Sequence, residues 1–192
     1  MPPSNPLIVH QFDLQQLPHH KTYLLTPYEA DKLSRLNTKN RILYQQTRYL
    51  LRDLLSVYNI APTALLYSPE GKPLIESDYS ISLSHSQNIW LVGIIKASQL
   101  GIDLQISPPK SPDTLIQKCQ LPQDTSIEML MQHWSLAESY YKCTQNPFMS
   151  TLKTNILQRL KQEGYDHYYS SNPSFAAVSN TPIDSVIWKK NI

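Results

Sequence analysis

The chain has 192 residues, of which 41% are hydrophobic and 17% are charged. That length can bury a substantial core, in one domain or in two small packed halves. The formal net charge of +2 is too small to indicate a nucleic-acid binder, so no nucleic-acid partner is expected. The longest apolar stretch, Ile89–Ile95, is far too short to span a membrane, so no membrane partner is expected either.

The cysteines and the first residues indicate a reducing compartment. Cys119 and Cys143 lack C-x-x-C spacing and have no His or Cys nearby at metal-ligand intervals, so both are predicted to be reduced thiols. The segment Met1–Pro6 has no basic stretch followed by an apolar run, so no signal peptide is predicted. We therefore expect a cytoplasmic protein.

The first half of the chain has the pattern of a strand, two helices and a group of strands. Residues 7–14 suit an opening strand. Thr26-Pro27, with Glu29 at a capping-box position, predicts the start of a helix that runs to about Leu36. Apolar residues at helical spacing predict a longer helix over residues 39–58. Strand signals follow at residues 64–68, 80–84 and 89–96, around a turn at 70–73.

The same order of elements recurs in the second half. Residues 101–106 are predicted to form a strand, residues 107–112 a proline-rich connection, and residues 125–143 a long helix. A shorter helix and three strands are predicted at 155–163, 165–170, 175–179 and 185–189. We therefore predict an α+β fold of two pseudo-two-fold related halves, residues 1–98 and 99–192, each a small antiparallel sheet with packed helices.

Two of these elements carry clusters of oxygen-bearing side chains. Strand alternation over residues 101–106 puts Asp103 and Gln105 on the same face. Helical spacing aligns Glu138 with Lys142 on the long helix. If the strand and the helix meet, the three oxygen donors can hold a hard cation such as Mg²⁺, and Lys142 can reach a phosphate.

Four motifs, in this order along the chain, resemble those of the 4'-phosphopantetheinyl transferase superfamily, in particular its monomeric, two-half, surfactin-synthetase-activating type. They are Gly71-Lys72-Pro73, Leu83-Ser84-His85-Ser86, Gly101-Ile102-Asp103, and Trp134 followed at helical spacing by Glu138 and Lys142. Four such motifs in order and with suitable gaps seldom arise by chance. The resemblance implies a two-half α+β fold with the active site between the halves, Mg²⁺ as cofactor, coenzyme A as substrate and a monomeric state.

The resemblance also implies roles for individual residues. Asp103, Gln105 and Glu138 would be the metal ligands, with Glu138 a metal ligand, a general base or both. Lys142 would be a second catalytic residue, in contact with phosphate. The implied coenzyme A contacts are Arg48 at the 3'-phosphate, Lys32 and Arg35 beside the adenine and 3'-phosphate, and Lys72, Ser84 and His85 at the diphosphate and nucleotide. A solvated amphipathic helix explains Lys32 and Arg35 almost as well.

The activity implied by the resemblance is Mg²⁺-dependent transfer of 4'-phosphopantetheine from coenzyme A to a serine of an apo acyl or peptidyl carrier protein, a holo-acyl-carrier-protein synthase activity. The segment Ile106–Pro122 is then either part of the carrier docking surface or a packed connector. Two residues depart from the family pattern, since Gln105 replaces a usual Glu and Ala137 a usual Lys. These two departures leave an alternative open, in which the chain is a catalytically weakened protein of the same fold that binds coenzyme A or a carrier protein.

Overall fold

The computed structural model describes residues 4–190, which form an α+β fold, as predicted from the sequence. The N-terminal part contains β1 (Leu7–Asp13), α1 (Pro27–Ser34), α2 (Thr38–Val57), β2 (Leu65–Tyr67), β3 (Pro73–Ile75), β4 (Ser80–Ser86) and β5 (Ile89–Ile95). The C-terminal part contains β6 (Leu100–Gln105), α3 (Pro112–Cys119), α4 (Ile127–Thr144), α5 (Phe148–Leu152), α6 (Ile156–Glu163), β7 (Asp166–Ser171), β8 (Ser174–Ser179) and β9 (Val186–Lys190). Between residues 4 and 190, no helix combines the length and the apolar character needed to cross a membrane.

The predicted helices and strands form within a few residues of their expected bounds, and three short elements were not predicted. These are β3, α3 and α5. The helix α3 begins at Pro112, the last residue of the predicted proline-rich connection, and continues through residues for which no helix was predicted. Its start carries helix signals of its own, because Pro112 stands in the first turn and Asp113 follows it.

Capping residues fix where the helices begin. At α1 the Glu29 amide donates to Thr26 Oγ1 at 3.2 Å, and the Thr26 amide donates to the Glu29 carboxylate at 2.8 Å. This reciprocal pair satisfies two amides that the first helical turn would leave unpaired, and such a cap typically stabilises a helix by about 1 kcal/mol. The side chains of Asn37 and Ser126 cap α2 and α4 in the simpler way.

The two parts of the chain repeat one strand topology. In the first sheet, β1 pairs antiparallel with β5, which pairs antiparallel with β4. In the second, β6 pairs antiparallel with β8, which pairs antiparallel with β7. The strand β9 then returns to the first sheet, where it lies parallel to β1. The division of the chain at residues 98 and 99 stays a prediction, and residues 1–3 and 191–192 at its outer limits lie outside the described residues.

The hydrophobic core joins the two sheets. One cluster of buried side chains lies between α2 and the first sheet, and another lies around α4 and β8. A third cluster draws on both sheets: Leu7, Val9, Leu91, Ile95, Leu100, Ile102, Leu104, Phe175 and Ala177. Burying one such Leu or Ile contributes about 1.5–3 kcal/mol, so separating the halves would expose a costly apolar surface.

A row of serine hydroxyls also connects the sheets. Alternate residues of β4 present these hydroxyls to alternate backbone amides in and just after β6. The amides donate at 3.0 to 3.1 Å, Ile102 to Ser82, Leu104 to Ser84 and Ile106 to Ser86. Three backbone amides along β6 and just after it thereby have acceptors without a neighbouring strand.

Gly101 allows α4 to lie directly against β6. A Cβ atom at this position would come within 1.9 Å of the Ser139 carbonyl oxygen and 2.6 Å of the Cys143 amide nitrogen. Both are backbone atoms of α4, so no side-chain movement could make room for it. The absence of a side chain at Gly101 therefore sets the spacing at which residues on β6 and α4 face each other.

Candidate active site

Asp103 lies on β6 at the centre of a polar cluster and is 1% exposed. Its Oδ1 accepts hydrogen bonds from Lys142 Nζ at 2.9 Å and from Ser84 Oγ at 3.1 Å. Its Oδ2 accepts a hydrogen bond from Gln105 Nε2 at 3.1 Å. A buried carboxylate is tolerated when it has partners of this kind, and here Lys142 supplies the balancing positive charge.

Glu138 joins the same cluster from α4. Trp134 Nε1 donates to its Oε2 at 3.0 Å, and Lys142 Nζ lies 3.4 Å from its Oε1. Helical spacing therefore puts these three side chains in contact. Burial raises the pKa of Glu138 above its usual range, and the nearby negative charge of Asp103 acts in the same direction against the opposing effect of Lys142. The strand and the helix meet, and Asp103, Gln105 and Glu138 come together.

A cavity of about 230 Å³ on one side of this cluster is lined by three cations and by one carboxylate residue, Glu70. Arg48 and Lys72 come from the N-terminal part, and Lys142 comes from α4. Ser82 on β4 and Tyr141 on α4 complete part of its wall. Because three positive side chains converge from both halves on one opening, the cavity suits a ligand that carries phosphate groups.

Lys72 follows Gly71 in a turn whose backbone conformation favours glycine at position 71. Gly71 has a φ of +88°, and a Cβ there would lie 2.0 Å from the Tyr28 hydroxyl oxygen. Lys72 Nζ donates to the Cys143 carbonyl oxygen at 2.7 Å, near the C-terminal end of α4. Burial lowers the pKa of Lys72. The turn therefore fixes a partly desolvated amine at the boundary between the halves.

Arg48 lies against an aromatic wall. Its guanidinium carbon is 4.6 Å from the centre of the Tyr44 ring and 5.9 Å from that of Tyr67. Arg48 forms no ion pair with any of residues 4–190, and its buried Nε has no hydrogen-bond partner there. A guanidinium stacked on aromatic rings and without a carboxylate partner remains available to bind an anion.

Arg52, one helical turn after Arg48, is neutralised instead. It forms two hydrogen bonds with Glu29, at 2.9 and 2.6 Å, and both side chains are at most 3% exposed. The Tyr67 hydroxyl also donates to Glu29, at 2.7 Å. This buried pair therefore anchors α1, α2 and the aromatic ring that faces Arg48.

Four of the predicted coenzyme A contacts do not line the cationic cavity. Ser84 is buried and donates to Asp103 instead. Lys32 Nζ is 5.9 and 5.8 Å from the centres of the Tyr28 and Tyr44 rings, so it borders the aromatic wall. Arg35 is 75% exposed and forms an ion pair with Asp31 at 2.8 Å. His85 is exposed, because strand alternation puts it on the opposite face from Ser84.

A second, more apolar cavity of about 360 Å³ lies on the other side of Glu138. Trp134 and Leu130 on α4 and Leu115 on α3 contribute apolar surface, while Lys118 stands on its wall. Glu138 lines this cavity and Lys142 lines the cationic one. The contact between these two side chains thus connects the two cavities.

The donor chemistry of the cluster suits a hard divalent cation. No group of three His, Cys, Asp or Glu side chains converges anywhere in residues 4–190, because the third predicted ligand is the amide of Gln105. Asp103 Oδ1 and Glu138 Oε1 nevertheless approach one common point, which Lys142 Nζ occupies at 2.9 and 3.4 Å. Two carboxylates and an amide are oxygen donors that Mg²⁺ accepts, provided that Lys142 moves aside.

Comparisons with known proteins address the family. No family model matches the chain. A 4'-phosphopantetheinyl transferase of Nostoc sp., HetI, is 26% identical over 171 residues, which cover 74% of this chain and 72% of the relative. This similarity supports the 4'-phosphopantetheinyl transferase superfamily, which the motifs predicted. A Synechocystis sp. protein that carries the same transferase name provisionally is 28% identical over 133 residues, 60% of this chain and 53% of that protein.

In this 4'-phosphopantetheinyl transferase homologue, sequence reasoning missed several residues around the site. The ion pair of Arg52 with Glu29 and the hydroxyl of Tyr67 support the cationic wall, although none of them touches the cavity directly. A signal for Arg52 was present, because a charged residue among the leucines of an amphipathic helix needs a buried partner. Ala137, where this superfamily usually has Lys, is fully buried in the core.

Proposed function

We propose that this protein transfers the 4'-phosphopantetheine arm of coenzyme A to a serine hydroxyl of an apo acyl or peptidyl carrier protein. The observation that carries the proposal is the convergence of Arg48, Lys72 and Lys142 on one cavity, beside the buried carboxylate of Asp103 and the partly exposed carboxylate of Glu138. Similarity to the two proteins named as 4'-phosphopantetheinyl transferases agrees with this assignment.

The cationic cavity would bind the phosphates of coenzyme A. Arg48 offers a planar guanidinium stacked on Tyr44, and Lys72 offers a partly desolvated amine, so the two match the different geometries of a terminal phosphate and a diphosphate. Lys142 stands where the cavity meets Asp103. A diphosphate bound there would lie next to the carboxylates, which is the position the reaction requires.

Glu138 is the proposed general base. Its raised pKa makes it a better proton acceptor than an ordinary surface carboxylate, and it faces the apolar cavity from which a carrier serine would approach. The serine oxygen would form a bond to phosphorus, its proton would pass to Glu138, and adenosine 3',5'-bisphosphate would leave. Lys142 and Lys72 would hold the leaving group, since phosphoryl transfer depends mainly on positioning and charge neutralisation.

Mg²⁺ is the proposed cofactor, with Asp103 and Glu138 as ligands and Gln105 binding it directly or through a water molecule. When bound, the ion would neutralise diphosphate charge and polarise the phosphorus under attack. The neutral Gln105 brings no charge to the site, so we expect weaker metal binding than three carboxylates would give.

The carrier protein would dock beside the apolar cavity. The segment of residues 106–122 includes α3, which presents Leu115 to the cavity, while Lys118 stands at its wall. An apolar patch with a flanking cation suits an acidic carrier helix. We further propose that a single chain in the cytoplasm performs the reaction, since both halves of the site come from one chain.

The alternative is a protein that binds coenzyme A or a carrier without catalysis. The observation in its favour is that Lys142 occupies the point on which the carboxylates converge, beside a neutral Gln105. Such a protein would keep coenzyme A affinity and leave the carrier unmodified.

The test is mass spectrometry of apo acyl and peptidyl carrier proteins incubated with the purified protein, coenzyme A and MgCl₂. We expect at least one carrier to gain the mass of one phosphopantetheine arm. Asp103→Asn should lower kcat/KM by about 10²–10³-fold, because a charge that acts on the transition state is lost. The matched control is Asp78→Asn on an 82% exposed side chain, and it should retain full activity. Coenzyme A binding with no modified carrier would instead establish the alternative.

A further inference from the structure

Lys142 belongs to two environments at once. Its Nζ lies within 2.9 Å of Asp103 Oδ1, 3.2 Å of Ser84 Oγ and 3.4 Å of Glu138 Oε1. The same side chain lines the cationic cavity together with Arg48 and Lys72. It can therefore interact with the carboxylates or with an anion in the cavity by turning its own flexible stem.

The charge of the cluster depends on which of these two environments Lys142 occupies. Asp103 and Glu138 bring two negative charges, and Lys142 neutralises one of them. Gln105 adds none, and its Nε2 donates to Asp103 Oδ2. A divalent cation that approaches the free protein meets an ammonium group already placed between the two carboxylates, and it must displace that group.

Packing and hydrogen bonds constrain Asp103 more than they constrain Lys142. Asp103 is 1% exposed and receives hydrogen bonds on both oxygens, so it is fixed. The Lys142 side chain is 23% exposed and has a cavity in front of it. Lys142 therefore has room to turn toward the cavity while Asp103 stays in place.

We infer that Lys142 is an exchangeable internal cation that competes with the divalent metal ion in the free protein and moves to phosphate when coenzyme A enters. The inference rests on the proposed function for the identity of the phosphate ligand. It has two consequences: the free protein binds divalent metal weakly, and coenzyme A increases the metal affinity by giving Lys142 a new partner.

The experiment measures binding of Mn²⁺ alone, by the electron paramagnetic resonance signal of the free ion, to the full-length protein without a carrier. Lys142→Met removes the ammonium group and keeps an apolar stem of similar length. We expect it to tighten Mn²⁺ binding about tenfold, because one positive charge within contact distance of the ion is lost. Lys142→Gln is a second variant and should act in the same direction if Lys142→Met folds poorly.

Lys118→Met is the matched control. Lys118 is exposed and lines the apolar cavity beside Glu138, but it forms no ion pair among residues 4–190. Its loss should change Mn²⁺ affinity less than about twofold. The inference is overturned if both Lys142 variants bind Mn²⁺ no more tightly than this control, or more weakly than it.

The second arm adds coenzyme A to the Mn²⁺ titration, with binding of Mn²⁺ to coenzyme A alone subtracted. Coenzyme A should tighten Mn²⁺ binding by a larger factor in the unmodified protein than in Lys142→Met, in which no ammonium group has to move. Equal factors in the two proteins would overturn the exchange of partners. Because neither arm requires transfer, a protein that never modifies a carrier can still confirm the competition, and an active enzyme can still contradict it.

Discussion

The two halves share a strand topology and differ in how their long helices use charge. On α2, Arg52 is at most 3% exposed and is paired with Glu29 inside its own half. On α4, Glu138 and Lys142 are 27% and 23% exposed, and Lys142 reaches Ser84 in the other half. A closed pair of this kind stabilises one conformation, whereas a half-open cluster at the boundary can exchange partners. The repeated architecture thus separates structural charge from charge that is free to react.

The largest effect should come from breaking the closed pair. Arg52→Met leaves the Glu29 carboxylate buried without its cation, and the loss of one member of a buried pair typically costs about 3–5 kcal/mol of unfolding free energy. Urea denaturation measures this loss. Arg35→Met is the matched control, since its pair with Asp31 is at the surface and should contribute less than about 1 kcal/mol. Equal losses in the two variants would show that burial does not set the Arg52 pair apart from a surface pair.

A smaller effect should come from forcing β6 and α4 apart inside the C-terminal half, where Asp103 and Glu138 face each other. Gly101→Ala places a methyl group against the backbone of α4, and we expect a loss of about 1–3 kcal/mol together with lower transferase activity, as Asp103 moves relative to Glu138. Gly93→Ala is the control. Its methyl group would meet side-chain atoms of Ile102, the nearest at 2.9 Å, and no backbone atom, so we expect a smaller loss. Stability equal to that of Gly93→Ala would show that the spacing of α4 and β6 is adaptable.

The smallest effect concerns pH. Burial lowers the pKa of His133, whose Nε2 contacts the Leu152 carbonyl oxygen at 2.8 Å. As pH falls through the ordinary histidine value of about 6.5, the unfolded chain takes up a proton that folded His133 resists, so stability declines. His133→Gln should flatten this decline in thermal unfolding between about pH 7.5 and 5.5. As the control, His167→Gln replaces an exposed histidine and should leave the decline in stability unchanged. If the unmodified protein and both variants show the same decline, His133 is not its cause.

Sequence reasoning was reliable where local chemistry decides the structure. The capping pair Thr26 and Glu29 predicts where α1 begins. The spacing of Trp134, Glu138 and Lys142 predicts their contact along α4. These interactions involve residues three or four positions apart, so the backbone geometry of one helix is enough to derive them.

It was less reliable where side chains from distant segments meet. Glu29 and Arg52 are 23 residues apart, and nothing in the periodicity of either helix links them. His85 follows Ser84 in a motif that suggests two ligand contacts, yet alternation along β4 sends their side chains in opposite directions. The position of Lys142 between two carboxylates depends on how α4 packs against β6, which only the tertiary structure supplies.

The row of serines on β4 has a consequence for how the molecule opens. Each hydroxyl is too short to follow a retreating amide, so any hinge movement between the sheets would release Ile102, Leu104 and Ile106 in a single event. Ser84 takes part in that event, and its proton is donated to Asp103. A movement between the sheets would therefore also change the hydrogen bonding of the Asp103 carboxylate, because Ser84 Oγ takes part in both interactions.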